Sequence, residues 1–158
     1  VVTKCPTHMQ PIDRRIVSNT LQLASYQHLF YSSIGYAPIH LNGTPLIVTG
    51  IANPMPLLTH LQQQYPDTEL LAYPDHHIFT PQDVNRIMQK AEQYVCVVTT
   101  EKDYMRLLQT PLVEQLGDKL HVISIQTNLG IDKEAFDRQI LLYVSENNRT
   151  KPNITTLQ

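Results

Sequence analysis

The chain is poor in the residues that would make it a disulfide scaffold, a membrane span or a nucleic-acid binder. It carries two cysteines in 158 residues, Cys5 and Cys96. Both lie in or beside apolar, strand-like runs, which suits small buried thiols in a reducing compartment. No C-x-x-C pair occurs, so the ligand density of a structural metal site is missing. No apolar run approaches the roughly 18 residues that span a bilayer. The start, Val1-Val2-Thr3-Lys4-Cys5-Pro6, has neither the charged nor the apolar region of a signal peptide. A net charge of −2 and a pI near 6.4 leave no excess of basic residues for a phosphate backbone. D-x-D does not occur, nor does any internal repeat or low-complexity segment. The first residue is not Met, and a strand with nothing before it is an odd beginning. A piece cut from a longer protein is the expectation.

What is present is an ordinary globular composition, 42% hydrophobic, at a length that supports a core of its own. Strand-like runs alternate with helical periodicity from Pro45 to Ser145, the pattern of an α/β fold with a parallel sheet. Strands are expected over residues 1–4, 27–34, 45–49, 68–73, 95–99 and 120–125. Helices are expected over 11–24, 54–65, 81–94, 103–108, 111–116 and 132–145. Thr80-Pro81-Gln82-Asp83 carries the marks of a helix start: a capping Thr, Pro in the first turn and an acid three residues on. Val84, Ile87, Met88 and Ala91 then share one face. In the last helix Phe136, Ile140 and Tyr143 or Val144 should face inward. Asn42-Gly43 between 37–41 and 45–49 is a strong hairpin signal. The expected architecture is therefore a mostly parallel sheet flanked by helices, an α/β/α sandwich, with one β-hairpin near the N-terminal part. Residues 147–158 are polar and without periodicity and read as a flexible tail.

Three polar motifs follow directly on expected strands. Val48-Thr49 runs into Gly50-Ile51-Ala52-Asn53-Pro54, Ala72-Tyr73 into Pro74-Asp75-His76-His77, and Val97-Val98 into Thr99-Thr100-Glu101-Lys102-Asp103. In an open α/β sheet such positions share the edge where ligands bind. Asp75 beside His76 can orient an imidazole for proton transfer or phosphate contact. Two loop histidines without a role fit the triplet equally well. A metal site of the kind in DHH phosphoesterases would need further acidic ligands. Lys102 at a helix start could meet an anion, although a simple helix cap with solvated charges is the better reading of 99–103 taken alone. Gly50 and Asn53 allow a tight turn close to a ligand, as they would in any βα turn.

Together and in this order, these motifs resemble the C-terminal half of the tetraacyldisaccharide 4′-kinase family of the lipid A pathway. The matching segments are Val2-Thr3-Lys4-Cys5-Pro6, Val48 to Pro54, Tyr73 to Phe79 and Val98 to Asp103. The resemblance implies ATP- and Mg²⁺-dependent transfer of the γ-phosphoryl group to the 4′-hydroxyl of a tetraacyldisaccharide 1-phosphate precursor. It places the work at the cytoplasmic face of the inner membrane, with membrane contact through an N-terminal region. It assigns His76 and Asp75 to the catalytic centre, and Gly50, Asn53, Glu101 and Lys102 to the neighbourhood of the nucleotide. The family's G-x-x-x-x-G-K-[ST] loop is absent: none of the five glycines is followed by Lys-Ser or Lys-Thr. Residues 1–10 are then the end of a missing P-loop domain and 11–146 a C-terminal lid domain that closes on it. ATP and Mg²⁺ would be held mainly by the missing part, and the chain alone would be inactive. A free-standing α/β binding module and a metal-dependent phosphoesterase stay open as alternatives.

Overall fold

The computed structural model describes residues 1–149. Its elements run β1 (Val2–Cys5), α1 (Pro11–Leu21), β2 (Tyr31–Tyr36), β3 (Pro45–Thr49), α2 (Met55–Gln62), β4 (Glu69–Ala72), α3 (Pro81–Ala91), β5 (Cys96–Thr100), α4 (Glu101–Leu107), α5 (Leu112–Leu116), β6 (Leu120–Ile123), β7 (Ile125–Asn128) and α6 (Lys133–Arg149). The α/β class expected from the sequence is observed. The strands form two sheets, ordered β1-β2-β7 and β4-β3-β5-β6. The chain divides into two units, one of residues 1–35 with 127 onward, the other of residues 36–126.

In the second unit β3 pairs in parallel with β4 and with β5, and β5 in parallel with β6. β3 and β5 are buried along their whole length, which is why they read as almost wholly apolar runs. Alternate side chains serve opposite faces. Leu46, Val48 and Val97 meet Val84, Ile87 and Ala91 of α3, Leu107 of α4 and Leu112 of α5. Ile47, Cys96 and Val98 meet Leu57 and Leu61 of α2 together with Leu41 and Ile123. The start of α3 carries the expected capping box, in which Thr80 Oγ1 accepts from Asp83 N at 3.2 Å and Thr80 N donates to Asp83 Oδ2 at 2.8 Å.

Counted along the chain, the strand order is 2-1-3-4. Consecutive connections leave β3 toward β4 and return past it to β5, so the sheet switches direction between β3 and β5. Ligand crevices of open sheets lie at the carboxyl ends of the strands flanking such a switch.

The hairpin expected at Asn42-Gly43 does not form. Residues 37–44 carry no strand, and both sides of β3 are taken by parallel partners. Neither Asn42 nor Gly43 has the positive φ that the two-residue hairpin turn requires. Gly43 is needed for room: a Cβ there would stand 2.6 Å from Val95 Cγ2. The strand expected over 120–125 breaks at Ser124, where the chain passes from β6 to β7.

In the first unit β1 lies parallel to β2, with β7 on the other edge of β2. Arg14 of α1 makes a two-pronged pair with Asp132, Nη1 to Oδ1 at 3.0 Å and Nη2 to Oδ2 at 2.8 Å. Asp132 Oδ2 also accepts from Tyr31 N at 2.8 Å, and Tyr31 Oη donates to the Arg14 carbonyl at 2.9 Å. The last helix runs to Arg149, past its expected end at Ser145; the remaining expected tail, 150–158, lies outside the described residues. Of the side chains expected to face inward from it, Phe136 is half-buried, edge-on to Phe30 at 5.3 Å. Ile140, Tyr143 and Val144 are exposed. The sheet of this unit is itself largely open, with β7 exposed throughout.

Candidate functional site

Asp103, in the first turn of α4, is fully buried at the switch point. Its Oδ2 accepts from Thr49 Oγ1 at 2.6 Å, from Gly50 N at 3.0 Å and from Thr100 Oγ1 at 2.9 Å. Two of these donors come from the end of β3 and one from the end of β5, so the carboxylate joins the strands on either side of the switch. Its Oδ1 accepts from Arg106 Nη1 at 3.0 Å. A buried carboxylate is tolerable when its lone pairs are this fully engaged.

Arg106, one turn along α4, carries the network outward. Nη1 also donates to the Gly50 carbonyl at 3.3 Å, and Nη2 faces His76 Nδ1 at 3.2 Å. His76 sits on the loop after β4 with φ 59°, the left-handed region that a side chain adopts at some cost. Asp75 stabilises that bend, its Oδ1 accepting from His76 N at 3.0 Å and from Lys102 Nζ at 2.9 Å. The bond from Lys102 is the main reason the Asp75 carboxyl lies below the usual carboxylate range. Partial desolvation opposes it, and the His76 ring and N–H assist. At Gly50 the β3 and β4 loops leave little room for a side chain: a Cβ there would lie 3.0 Å from the Pro74 carbonyl oxygen and 3.4 Å from His77 Cβ.

The two histidines of the triplet face different neighbours. His77 is half-buried, stacked on Tyr73 at 4.8 Å and edge-on to Phe79 at 5.2 Å. Its Nε2 donates to Asp83 Oδ2 at 2.9 Å. It therefore braces the start of α3. The Thr80 hydroxyl, and after it the Thr80 N–H and His77, hold the Asp83 carboxyl down at about 2. His76 is exposed, beside a cavity of about 240 Å³ lined by His76, His77, Ile78, Phe79, Arg106, Gln109 and Thr110. A larger cavity of about 380 Å³ in the first unit, between Cys5, Arg14, Tyr31 and Ile131 among others, holds none of the expected site residues.

Of the residues singled out in the sequence, Gly50, Asp75, His76 and Lys102 come together on one rim. Glu101 turns to the end of β6, where Ser124 Oγ donates to its Oε1 at 2.8 Å. Asn53 is exposed and accepts from Met55 N at 3.3 Å at the start of α2. Sequence reasoning missed Arg106 altogether and read 99–103 as a cap with solvated charges; the Thr100 cap is there, but Asp103 is buried rather than solvated. The signal lay in the Asp-x-x-Arg spacing, which puts both on one helix face. Among the described residues no three His, Cys, Asp or Glu side chains gather as a metal-holding group.

This arrangement defines a class: an open-sheet α/β protein with a basic, histidine-bearing rim anchored at its topological switch. The family model described as tetraacyldisaccharide-1-P 4′-kinase matches residues 5–145, and the chain belongs to that family. Its relatives named tetraacyldisaccharide 4′-kinase include that of Bacteroides thetaiotaomicron, 32% identical, with 94% of this chain and 47% of the relative covered. That of Phocaeicola vulgatus is 34% identical, covering 94% and 46%. That of Flavobacterium johnsoniae is 32% identical, covering 93% and 45%. The chain thus spans about half the length of the curated relatives it matches. No solved structure matches it significantly.

Proposed function

We propose that this chain is the C-terminal, lid-forming part of an ATP-dependent kinase that phosphorylates the 4′-hydroxyl of the tetraacyldisaccharide 1-phosphate precursor of lipid A. Family membership supports the reaction class. The observation that carries the role of this part is the rim itself: an exposed His76 on a strained backbone, with Asp75, Lys102 and Arg106 fixed around it. Phosphoryl transfer depends chiefly on positioning and on charge stabilisation, and such a cluster supplies both.

In the proposed reaction the 4′-hydroxyl oxygen forms a bond to the γ-phosphorus as the bond to the β–γ bridging oxygen breaks. ADP leaves, and the hydroxyl proton passes to an acidic base on the P-loop half. His76 and Asp75 complete the centre when the lid closes; Lys102 meets phosphate charge. Gly50 lets the loops approach the nucleotide, with Asn53 and Glu101 farther along the same edge. Mg²⁺, which neutralises phosphate charge in such enzymes, does not fit a site made by this chain. Asp103 is saturated by its own donors, Asp75 has only Oδ2 left beside the Oδ1 shared by Lys102 and His76 N, and among the described residues no three such side chains gather to hold an ion. The metal belongs with the P-loop half.

The partner in this reading is the enzyme's own P-loop domain, with residues 1–10 closing it and 11–146 forming the lid domain. The exposed apolar side chains of α1, Ile12, Ile16 and Leu21, support such a partner, because apolar surface left bare in one piece of a protein commonly meets another. The full enzyme would work at the cytoplasmic face of the inner membrane. No described helix is long and apolar enough to cross a membrane.

The test is His76→Ala in the longer enzyme, read by γ-phosphoryl transfer to the disaccharide. A loss on the order of 10²- to 10⁴-fold in kcat is expected. Activity within a few-fold of the parent overturns the role of His76. Turnover by this purified chain alone, above its own His76→Ala control, overturns the division of labour between the halves.

A further inference from the structure

Arg106 stands outside every motif that drew attention in the sequence, yet it is the link between the buried end of the sheet and His76. We propose that Arg106 is the positioning residue of His76: it fixes the ring with Nδ1 as a bare acceptor and Nε2 as the protonated, donating nitrogen. The proposal rests on the reading of His76 as catalytic.

The argument begins in the core. Asp103 cannot turn, because Thr49, Gly50 and Thr100 hold one oxygen and Arg106 the other. The guanidinium is in turn held twice through Nη1, by Asp103 and by the Gly50 carbonyl. A planar fork gripped on one side presents its other nitrogen in a defined direction. That nitrogen, Nη2, is 3.2 Å from His76 Nδ1. A guanidinium only donates and does not lose its proton. The contact is a hydrogen bond only when Nδ1 offers its lone pair, which puts the proton of the neutral ring on Nε2.

Nε2 has a carboxylate neighbour but no hydrogen bond to it. Asp75 Oδ2 lies 3.6 Å away, beyond hydrogen-bond range, and Asp75 Oδ1 serves Lys102 and the His76 N–H. Nε2–H is left to donate outward, toward a phosphate oxygen or the acceptor hydroxyl. A ring held this way cannot take the hydroxyl proton at Nε2. It stabilises developing charge as a neutral donor, and the proton goes to the carboxylate base of the other half.

The experiment is long-range ¹H–¹⁵N NMR of the ring nitrogens in the chain labelled with ¹⁵N-histidine, with His76 assigned by its loss in His76→Ala. A proton on Nε2, and an Nδ1 signal that moves in Arg106→Lys, are the expected results. Lysine keeps a cation beside the buried Asp103, which Arg106→Met would strip of its partner. The parent spectrum tests the tautomer without any variant. A proton on Nδ1, or ring signals indifferent to Arg106→Lys, overturns the proposal. In the longer enzyme Arg106→Lys should lower kcat on the order of 10- to 100-fold with little change in KM for ATP. It should have no further effect in a His76→Ala background. A raised KM at unchanged kcat would make Arg106 a nucleotide contact and overturn the positioning role. Full activity of His76→Ala would instead strike the catalytic reading and leave the tautomer result standing.

Discussion

The two units of this chain are held by different forces. Residues 36–126 have central strands buried on both faces, apolar except for the threonines at their carboxyl ends, and helices whose inward residues follow the 3.6-residue period. Residues 1–35 and 127–149 have short, half-open strands, two helices with bare apolar faces and a polar clasp of Arg14, Asp132 and Tyr31. The lesson is that amphipathic patterning announces a face to be covered and does not say by what. α3 and α1 both show apolar residues at helical spacing. In α3 Val84, Ile87 and Ala91 are buried by the sheet of the same unit; in α1 no residue is buried.

The largest expected effect that separates the units is in the two-sided core. Ile87 is fully buried among Leu46, Val48 and Leu107. Ile87→Ala should destabilise the chain by about 2–5 kcal/mol, through lost transfer energy and the cavity left behind. Chemical denaturation monitored by circular dichroism checks it. A loss below about 1 kcal/mol would mean that this core is looser than its packing implies.

The clasp of the first unit comes next. Arg14→Met removes both prongs to Asp132 and leaves a half-buried carboxylate with only the Tyr31 N–H. A loss of about 1–3 kcal/mol is expected for hydrogen bonds to a charged group. It should appear as increased hydrogen exchange in residues 1–35 while α3 and β5 stay protected. Burial pushes the Asp132 carboxyl up, but the bonds from Arg14 and Tyr31 N outweigh it and the net direction is down. Its contribution is therefore present above the usual carboxylate range and lost as pH falls below it.

How much of this was legible in the sequence follows the range of the interactions. The α3 cap was legible, since Thr80, Pro81 and Asp83 satisfy one another within four residues. The strands β3 and β5 were legible, since burial on both faces leaves an apolar run. Asn42-Gly43 misled because the reason for the glycine is Val95, more than 50 residues on by sequence and a Cβ contact away in space. The site was legible as three loops on one rim, because parallel strands put their carboxyl ends together. Its anchor was not: Arg106 and His76 are 30 residues apart, and nothing local in either segment requires the other.

Thr80→Ala probes a smaller term in the better-packed unit. Loss of the cap should cost about 1 kcal/mol. Asp83, held at about 2 in the folded chain, contributes stability that is present above its unfolded value of about 3.9. That contribution disappears as pH falls from about 4 toward 2. Without the Thr80 hydroxyl, the main cause of the low value, the difference between parent and variant should shrink across that window. Denaturation midpoints measured at intervals from pH 5 to pH 2 would show the two curves converging. Parallel curves would mean that His77 and the backbone hold the carboxyl down by themselves.

The smallest effect is the most discriminating. Ile16, on the apolar face of α1, is 56% exposed. Ile16→Ala should change the stability of this chain by no more than about 0.5 kcal/mol, as at any exposed position without special contacts. In the longer enzyme the same substitution should cost several times more if the P-loop half covers α1, because the side chain is then buried on both sides. Equal, negligible effects in both would leave the bare face of α1 to some other partner. A large effect in this chain alone would show α1 already covered in solution, by a second copy, and that loss would depend on protein concentration.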